Sequence, residues 1–438
     1  MLEIVTRIFW TIATSFLVLS GVYFTIKLKF VQIHFKEMFK NLFRKEEKGI
    51  KPYQTLMMVL AGRIGVGSIA GVALAIYLGG LGSIFWMWVI AFISAANTFA
   101  ETVLGIKYKV KDTEDIYKGG PSYYLKNGLS KPFLGTIYAL VIIVSYIFGF
   151  LGIQANTITK SINEITNISP YIVGVFIAIF TSLVIFGGVK KIASTSSKLV
   201  PLMTILYVGI ALFICIVNIE MIPNIFKNII IDAFNFKPFI GGFLGTLIVG
   251  VQRGIFSNEA GLGTGAIASS AVVTEDGVSQ GYLHMIGIYI TTMIICTSTA
   301  IIILTSPYEQ ILINDINGIE ITQFAFKYHL GEIGSYLIFI SIILFSFSTI
   351  LTGYYDGESS LKYFFKNVKK RYLLMLKIVS VVVLFLGCII SSKILWNLVD
   401  LMVACQAFIN IYALIKLRKE IIISLKVYKQ KGKVKKIW

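Results

Sequence analysis

The chain has 438 residues, 56% of them apolar and 14% charged, with a mean hydropathy of +0.81. That composition excludes a soluble globule and a disordered chain and leaves a polytopic membrane protein. A formal net charge of +18 would suggest a nucleic-acid partner in a soluble protein; here the basic residues lie between apolar runs, so they report topology and no nucleic-acid partner is expected.

In chain order, residues 6–26 form a first span. It follows Arg7 and shows no small-residue cleavage pattern, so a retained helix is expected in place of a signal peptide. A basic connector, 27–51, carries eight Lys and Arg. Ten apolar segments follow, near 53–77, 81–105, 133–157, 170–188, 199–219, 240–270, 280–304, 334–360, 372–390 and 394–415. The fold class is therefore all-α, with about 11 transmembrane helices. The organisation expected is an N-terminal helix with its connector (1–52), a five-helix unit (53–219), a second such unit (240–415) and a basic tail (416–438).

Charge placement supports this alternation. The segments assigned to the cytoplasm hold 31 of the 40 Lys and Arg. The positive-inside rule then puts the N-terminus outside and the C-terminus in the cytoplasm, in a plasma-membrane protein. The lysines of 426–436 read as a solvated tail near anionic lipid.

Two spans are broken. Ala61-Gly62-Arg63-Ile64-Gly65-Val66-Gly67-Ser68 sets three glycines and an arginine inside 53–77, and each interior glycine costs a helix about 1 kcal/mol against alanine. Gly250 to Gly265 does the same inside 240–270, adding Ser257, Asn258 and Glu259. Broken backbone in lipid is tolerated where it lines a protein-walled cavity, and paired breaks in two halves point to a transporter's binding site. The breaks lie five spans apart, so the two spans cross in opposite directions. That is the 5+5 inverted repeat of the leucine-transporter type, here with one extra N-terminal helix.

The chain resembles the alanine or glycine:cation symporters, also called sodium:alanine symporters, on stretches that run through nearly all of it. They are 60–73 (LAGRIGVGSIAGVA), 85–89 (FWMWV), 119–125 (GGPSYYL), 154–156 (QAN), 253–263 (RGIFSNEAGLG) and 347–351 (FSTIL). The resemblance implies a leucine-transporter-like fold and sodium-coupled uptake of small neutral amino acids. Three positions depart from the family pattern: Ser68 for an Asn, Gly353 for a Trp, and 407–410 (AFIN) for a Pro-Asn. Loss of the indole at Gly353 leaves room for a substrate larger than alanine, such as glutamine.

The residues suggest a division of labour. Gly65, Gly67 and Ser68, at the start of a half-helix, offer amides and a positive dipole end to a carboxylate. Carbonyls near Phe256 and Ser257 suit an amine, with Phe256 as a wall and Gln154 and Asn156 as pocket amides. A sodium ion wants five or six hard oxygens, for which Ser348, Thr349 and the carbonyls around Gly62 and Gly65 are candidates. Arg63, Arg253, Glu259, Glu101 and Asp400 lie at membrane depth, where a charge costs at least ~2.5 kcal/mol and must face a partner or water. Gating pairs and fixed structural pairs both meet that demand. Trp86 and Trp88 read as packing or interface anchors.

Cys215, Cys296, Cys388 and Cys405 are isolated in apolar runs, and His34, His284 and His329 lack metal spacing. No cofactor and no catalytic residues are expected, with sodium as the coupling ion. A proton carried by Glu259 or Asp400 is the nearer alternative to sodium; a channel and an intramembrane enzyme are more distant ones.

Overall fold

The computed structural model describes residues 2–42, 49–111, 116–163, 165–235, 242–308, 310, 318–365 and 368–434. Helices dominate, because a chain crossing lipid must satisfy its main-chain groups within itself. Among the described residues, seven helices are long and apolar enough to cross a bilayer: Ile8–Lys27, Gly82–Lys107, Pro132–Asn163, Gly188–Val217, Gly277–Leu304, Ile319–Phe364 and Lys393–Lys416. The other apolar segments fold as the shorter helices Pro170–Ile185 and Lys370–Gly387. Two more are interrupted pairs, Pro52–Arg63 with Ala70–Gly79 and Gly242–Asn258 with Thr264–Ser270. Proline opens several of these helices in the first turn, where its missing N–H costs nothing.

Three irregularities shape the centre. Ile143–Phe150 and Tyr289–Cys296 are π-helical turns inside their spans. The wider turn re-aims the side chains around it, which bring Tyr146, Phe150 and Cys296 to the breaks. Gly331, at φ 61° and ψ −147°, divides Ile319–Phe364 into a leading piece and the long helix 332–364, close to the span read at 334–360.

Gly82–Lys107 packs against Gly242–Asn258 and Gly277–Ile288, and Ile319–Phe364 packs on Pro52–Arg63 and Leu151–Asn163. Small residues permit this closeness: a Cβ on Gly250 would stand 2.5 Å from the Ser83 carbonyl oxygen. The N-terminal helix lies along Ser392–Lys416 and Gly82–Lys107. Pro170–Ile185 and Gly188–Val217 turn Phe176, Phe180, Leu183, Ile205 and Phe213 outward, as a lipid-facing layer does.

The lysine-rich end is more ordered than its charge suggests. A short hairpin pairs Val110–Lys111 with Tyr117–Lys118, and Ile50 bridges to Val272 in the loop after the second broken span. The C-terminal segment, expected as a solvated tail, is the helix Arg418–Val434. Ile421 and Leu425 are buried, Glu420 sits 2.8 Å from Lys107, and the Tyr428 hydroxyl donates to Glu37 at 2.9 Å. Apolar residues at helical spacing carry this docking; counting lysines hides them. Residues 435–438 lie outside the described part.

Gly263 holds φ at +95°, and a Cβ there would lie 2.2 Å from Pro121 Cγ and 2.6 Å from Tyr138 Oη. Gly263→Ala should therefore destabilise the protein by about 1–3 kcal/mol, read as a lower melting temperature in detergent. An unchanged melting temperature would contradict the turn described.

Candidate substrate and ion site

At the first break the helix ends at Arg63, Gly65 is extended, Val66–Ser68 makes one 3₁₀ turn, and the second half starts at Ala70. The Ser68 amide is spent on the Gly65 carbonyl at 3.0 Å, and the Val66 amide donates to Gln154 Oε1 at 3.3 Å. The amides of Gly65 and Gly67 have no partner among the described residues. Two of the three expected amides thus stay available to an anion.

The second break is a longer turn. Glu259 adopts φ 54°, Gly261 82° and Gly263 95°, values costly for anything but glycine. Asn258 Oδ1 caps the Ala260 amide at 3.0 Å, the Gly263 amide donates to Glu101 Oε2 at 3.0 Å, and Tyr138 donates to the Leu262 carbonyl at 2.6 Å. Asn410, within 407–410, donates to the Gly261 carbonyl at 2.8 Å and to Glu101 at 3.1 Å.

The breaks meet. Ser68 Oγ lies 3.0 Å from Ser257 Oγ, Ser257 Oγ lies 3.0 Å from Cys296 Sγ, and Thr299 donates to the Ser68 carbonyl at 2.7 Å. Gly67 faces Phe256 so closely that a Cβ would stand 2.8 Å from its ring. Phe256 stacks on Phe150 at 5.2 Å, Phe150 on Tyr146 at 4.6 Å, and Trp396 closes on the other side at 4.7 Å.

Beside the first break, oxygens converge. Thr349 Oγ1 lies within hydrogen-bond reach of the carbonyls of Ala61 (3.0 Å), Gly62 (3.4 Å) and Phe345 (3.1 Å), and Ser348 Oγ reaches those of Ala61 (3.3 Å) and Phe345 (2.9 Å). Two hydroxyls and three carbonyls in one place form the hard-oxygen set that a small monovalent cation takes. Gly65 is needed here, since a Cβ would lie 2.4 Å from Thr349 Oγ1.

Among the charges, Arg253 pairs with Asp400 at 2.9 Å, with both side chains buried, and Gln252 joins at 2.9 Å. The Arg253 guanidinium also lies over Trp396 at 5.1 Å. Glu259 makes no ion pair among the described residues; Tyr146 and Thr264 each donate to it at 2.8 Å. Arg63 donates to the His284 carbonyl at 3.2 Å and lies close to Gly265, beside Glu101.

Two expectations change. Asn156 does not face the breaks: its amide is spent on the carbonyls of Gly387 (3.1 Å) and Ile390 (2.8 Å), closing a helix end. Gly353 does not open an empty space, because a Cβ there would meet Leu151 at 3.1 Å and the Tyr146 ring at 3.2 Å. Trp86 and Trp88 donate to the Ala233 carbonyl and to Thr297, which is packing. Sequence reading missed Tyr146 and Trp396, single residues in apolar runs with no local signal, and gave no role to Thr264 within the second break.

The fold is of the leucine-transporter type. Crystal structures with that fold superpose on it: MhsT in complex with L-phenylalanine at TM-score 0.60, 12% identical, covering 87% of this chain and 99% of that one. An Eremococcus coleocola manganese transporter superposes at 0.54, 10% identical, over 82% and 76%.

The chain belongs to the sodium:alanine symporter family, whose model matches residues 1–437. Relatives include the amino-acid carrier protein AlsT of Bacillus subtilis, 36% identical over 100% of this chain and 92% of that protein. The probable sodium/glutamine symporter GlnT of the same organism is 36% identical over 99% and 91%. The sodium/alanine symporter AgcS of Methanococcus maripaludis is 35% identical over 94% and 92%. The protein is a secondary amino-acid transporter of the membrane.

Removing one partner of the buried Arg253–Asp400 pair strands the other, at a cost of about 3–5 kcal/mol. Asp400→Ala should lower the melting temperature clearly, and Arg253→Met with Asp400→Leu should recover part of the loss. A double variant as unstable as the sum of the single variants would contradict a direct pair.

Proposed function

We propose that this chain couples the inward sodium gradient to uptake of small neutral amino acids, alanine and glycine with larger ones such as glutamine, by alternating access. The observation that carries the reading is the meeting of two broken helices at Ser68 and Ser257 beside a hydroxyl–carbonyl cluster. The substrate carboxylate sits at the Gly65 and Gly67 amides, where a half-helix dipole adds up to ~2 kcal/mol. Its amine faces the carbonyls near Phe256 and Ser257, with Phe256 as wall and Gln154 holding the turn. Sodium takes Ser348, Thr349 and the carbonyls of Ala61, Gly62 and Phe345, and so fixes the first break in the shape that receives the amino acid.

Arg253 and Asp400 close the site through Trp396 and Phe256, and Arg63 and Glu259 flank it on the other side. Bound together, the ligands favour rocking of the bundle that exchanges access. The protein sits in the plasma membrane with its lysine-rich face in the cytoplasm, its N-terminus outside and its C-terminus within. Sodium leads over the proton because hydroxyls and carbonyls, without a carboxylate, make up the cluster beside the first break.

Uptake into proteoliposomes at fixed pH tests this. Labelled alanine should accumulate with an inward sodium gradient, and Thr349→Val should raise the half-saturating sodium concentration at least tenfold. Uptake that ignores sodium and follows pH would overturn the assignment. In a competition panel, Gly353→Trp, which must displace the Tyr146 ring stacked on Phe150, should lose glutamine before alanine; an unchanged panel would show that this ring column does not border the chamber.

A further inference from the structure

After the N-terminal helix the chain turns through Lys29 and Phe30, at φ 57° and 54°, left-handed values that are strained for residues other than glycine. The turn leads to a short amphipathic helix, Phe35–Leu42. Three neighbours hold this connector. Gln32 Nε2 donates to Thr25 Oγ1 at 2.7 Å, and Tyr289 donates to the Gln32 carbonyl at 2.5 Å. His34 Nδ1 lies 3.3 Å from Tyr282 Oη, the Phe35 ring lies 5.6 Å from that of Tyr289, and Met38 is buried. Tyr428, from the C-terminal helix, donates to Glu37 at 2.9 Å.

The outer face of the connector is uncovered among the described residues. Phe35 and Phe39, at i and i+4, form an exposed aromatic edge that Phe30 and Ile33 extend. The edge continues the outward face of the N-terminal helix, where Leu19, Val22 and Ile26 are exposed. Lys36 and Lys40 stand exposed beside it, and Lys29 is exposed at the turn. Lys429 joins these cations: burial and the charge of Lys29 lower its pKa, Glu37 acts the other way, and Lys429 in turn acts on His34. An apolar edge bordered by lysines is the pattern of a helix lying in a membrane interface, its rings below the headgroups and its cations among them.

We infer that the connector docks on anionic phospholipid: Phe30, Ile33, Phe35 and Phe39 enter the cytoplasmic leaflet, and Lys36 and Lys40 take the lipid phosphates. It rests on the orientation and the sodium-symport reading above. Each lysine near an anionic surface strengthens such docking about fivefold. Docking pins the helix Gly277–Leu304, because Tyr282 and Tyr289 grip the connector. The same helix reaches both breaks: the His284 carbonyl accepts from Arg63 at 3.2 Å, and Cys296 Sγ lies 3.0 Å from Ser257 Oγ. Leaflet charge thereby sets how readily the site changes access, and transport is faster in anionic membranes.

The test compares sodium-driven alanine uptake in vesicles of phosphatidylcholine and in vesicles of phosphatidylcholine mixed equally with phosphatidylglycerol. The wild type should be about fivefold faster in the mixed vesicles, and Lys36→Gln with Lys40→Gln should bring the two rates together. Phe39→Ser, which keeps every charge, should also shrink the difference. Lys190→Gln with Lys191→Gln, which removes two exposed lysines elsewhere, should leave it unchanged. Equal wild-type rates would leave the face to a protein partner and overturn the proposal. A difference undiminished in the Lys36 and Lys40 variant or in Phe39→Ser, or lost equally in the Lys190 and Lys191 variant, overturns it too. Recovery of the rate in phosphatidylcholine by added glycerol phosphate would mark a soluble anion site and do the same. Melting temperature in detergent reads docking without transport: added phosphatidylglycerol should raise it in the wild type and not in the Lys36 and Lys40 variant. That shift without sodium-driven uptake in any vesicle would remove symport and keep the lipid surface; sodium-driven uptake without the shift would remove the surface and keep symport.

Discussion

A peptide group inside lipid has no water to fall back on, and this structure is arranged around that shortage. Two helices stop near the same place, at Ile64–Ser68 and at Asn258–Gly263, and the freed groups are turned toward each other and toward side chains from the neighbouring spans. Each neighbour supplies what its break lacks: Gln154 and Thr299 to the first, Glu101, Tyr138 and Asn410 to the second. An unmet main-chain group in hydrocarbon costs several kcal/mol, so these residues hold the breaks open as much as they decorate them. What remains unspent, the amides of Gly65 and Gly67 and the oxygens around Thr349, is what the proposed substrate and ion would take.

Membrane class, span positions and both breaks were legible in the sequence because they depend on composition and on glycine, whose effect on a helix is local. The hydroxyl pair Ser348–Thr349 was legible through the family resemblance, and the structure sets it on the carbonyls of Ala61 and Gly62. Asn156 was misread because an amide in an apolar span has two uses, and only the packing of Lys370–Gly387 against that span shows it closing a helix end. The tail was misread because nine basic residues in 416–438 mask apolar ones at helical spacing. Tyr146 and Trp396 left no trace at all; a π-helical turn and a stacking column are products of three-dimensional packing.

The buried charges fall into two kinds. Arg253 and Asp400 form a direct ion pair supported by the Gln252 amide and the Trp396 ring. Arg63, Glu101 and Glu259 are instead bound mostly to neutral donors and acceptors. Gly62 lies close to Glu259, and Gly65 lies against Thr349.

The most direct measurement of the central claim is an experimental density map of the protein with sodium and alanine. The account predicts density for the amino acid between the Gly65–Gly67 amides and the Phe256–Ser257 backbone, with an ion at Ser348 and Thr349, and both helices unwound there. Two helices running unbroken through the membrane, or an amino acid bound elsewhere, would contradict it.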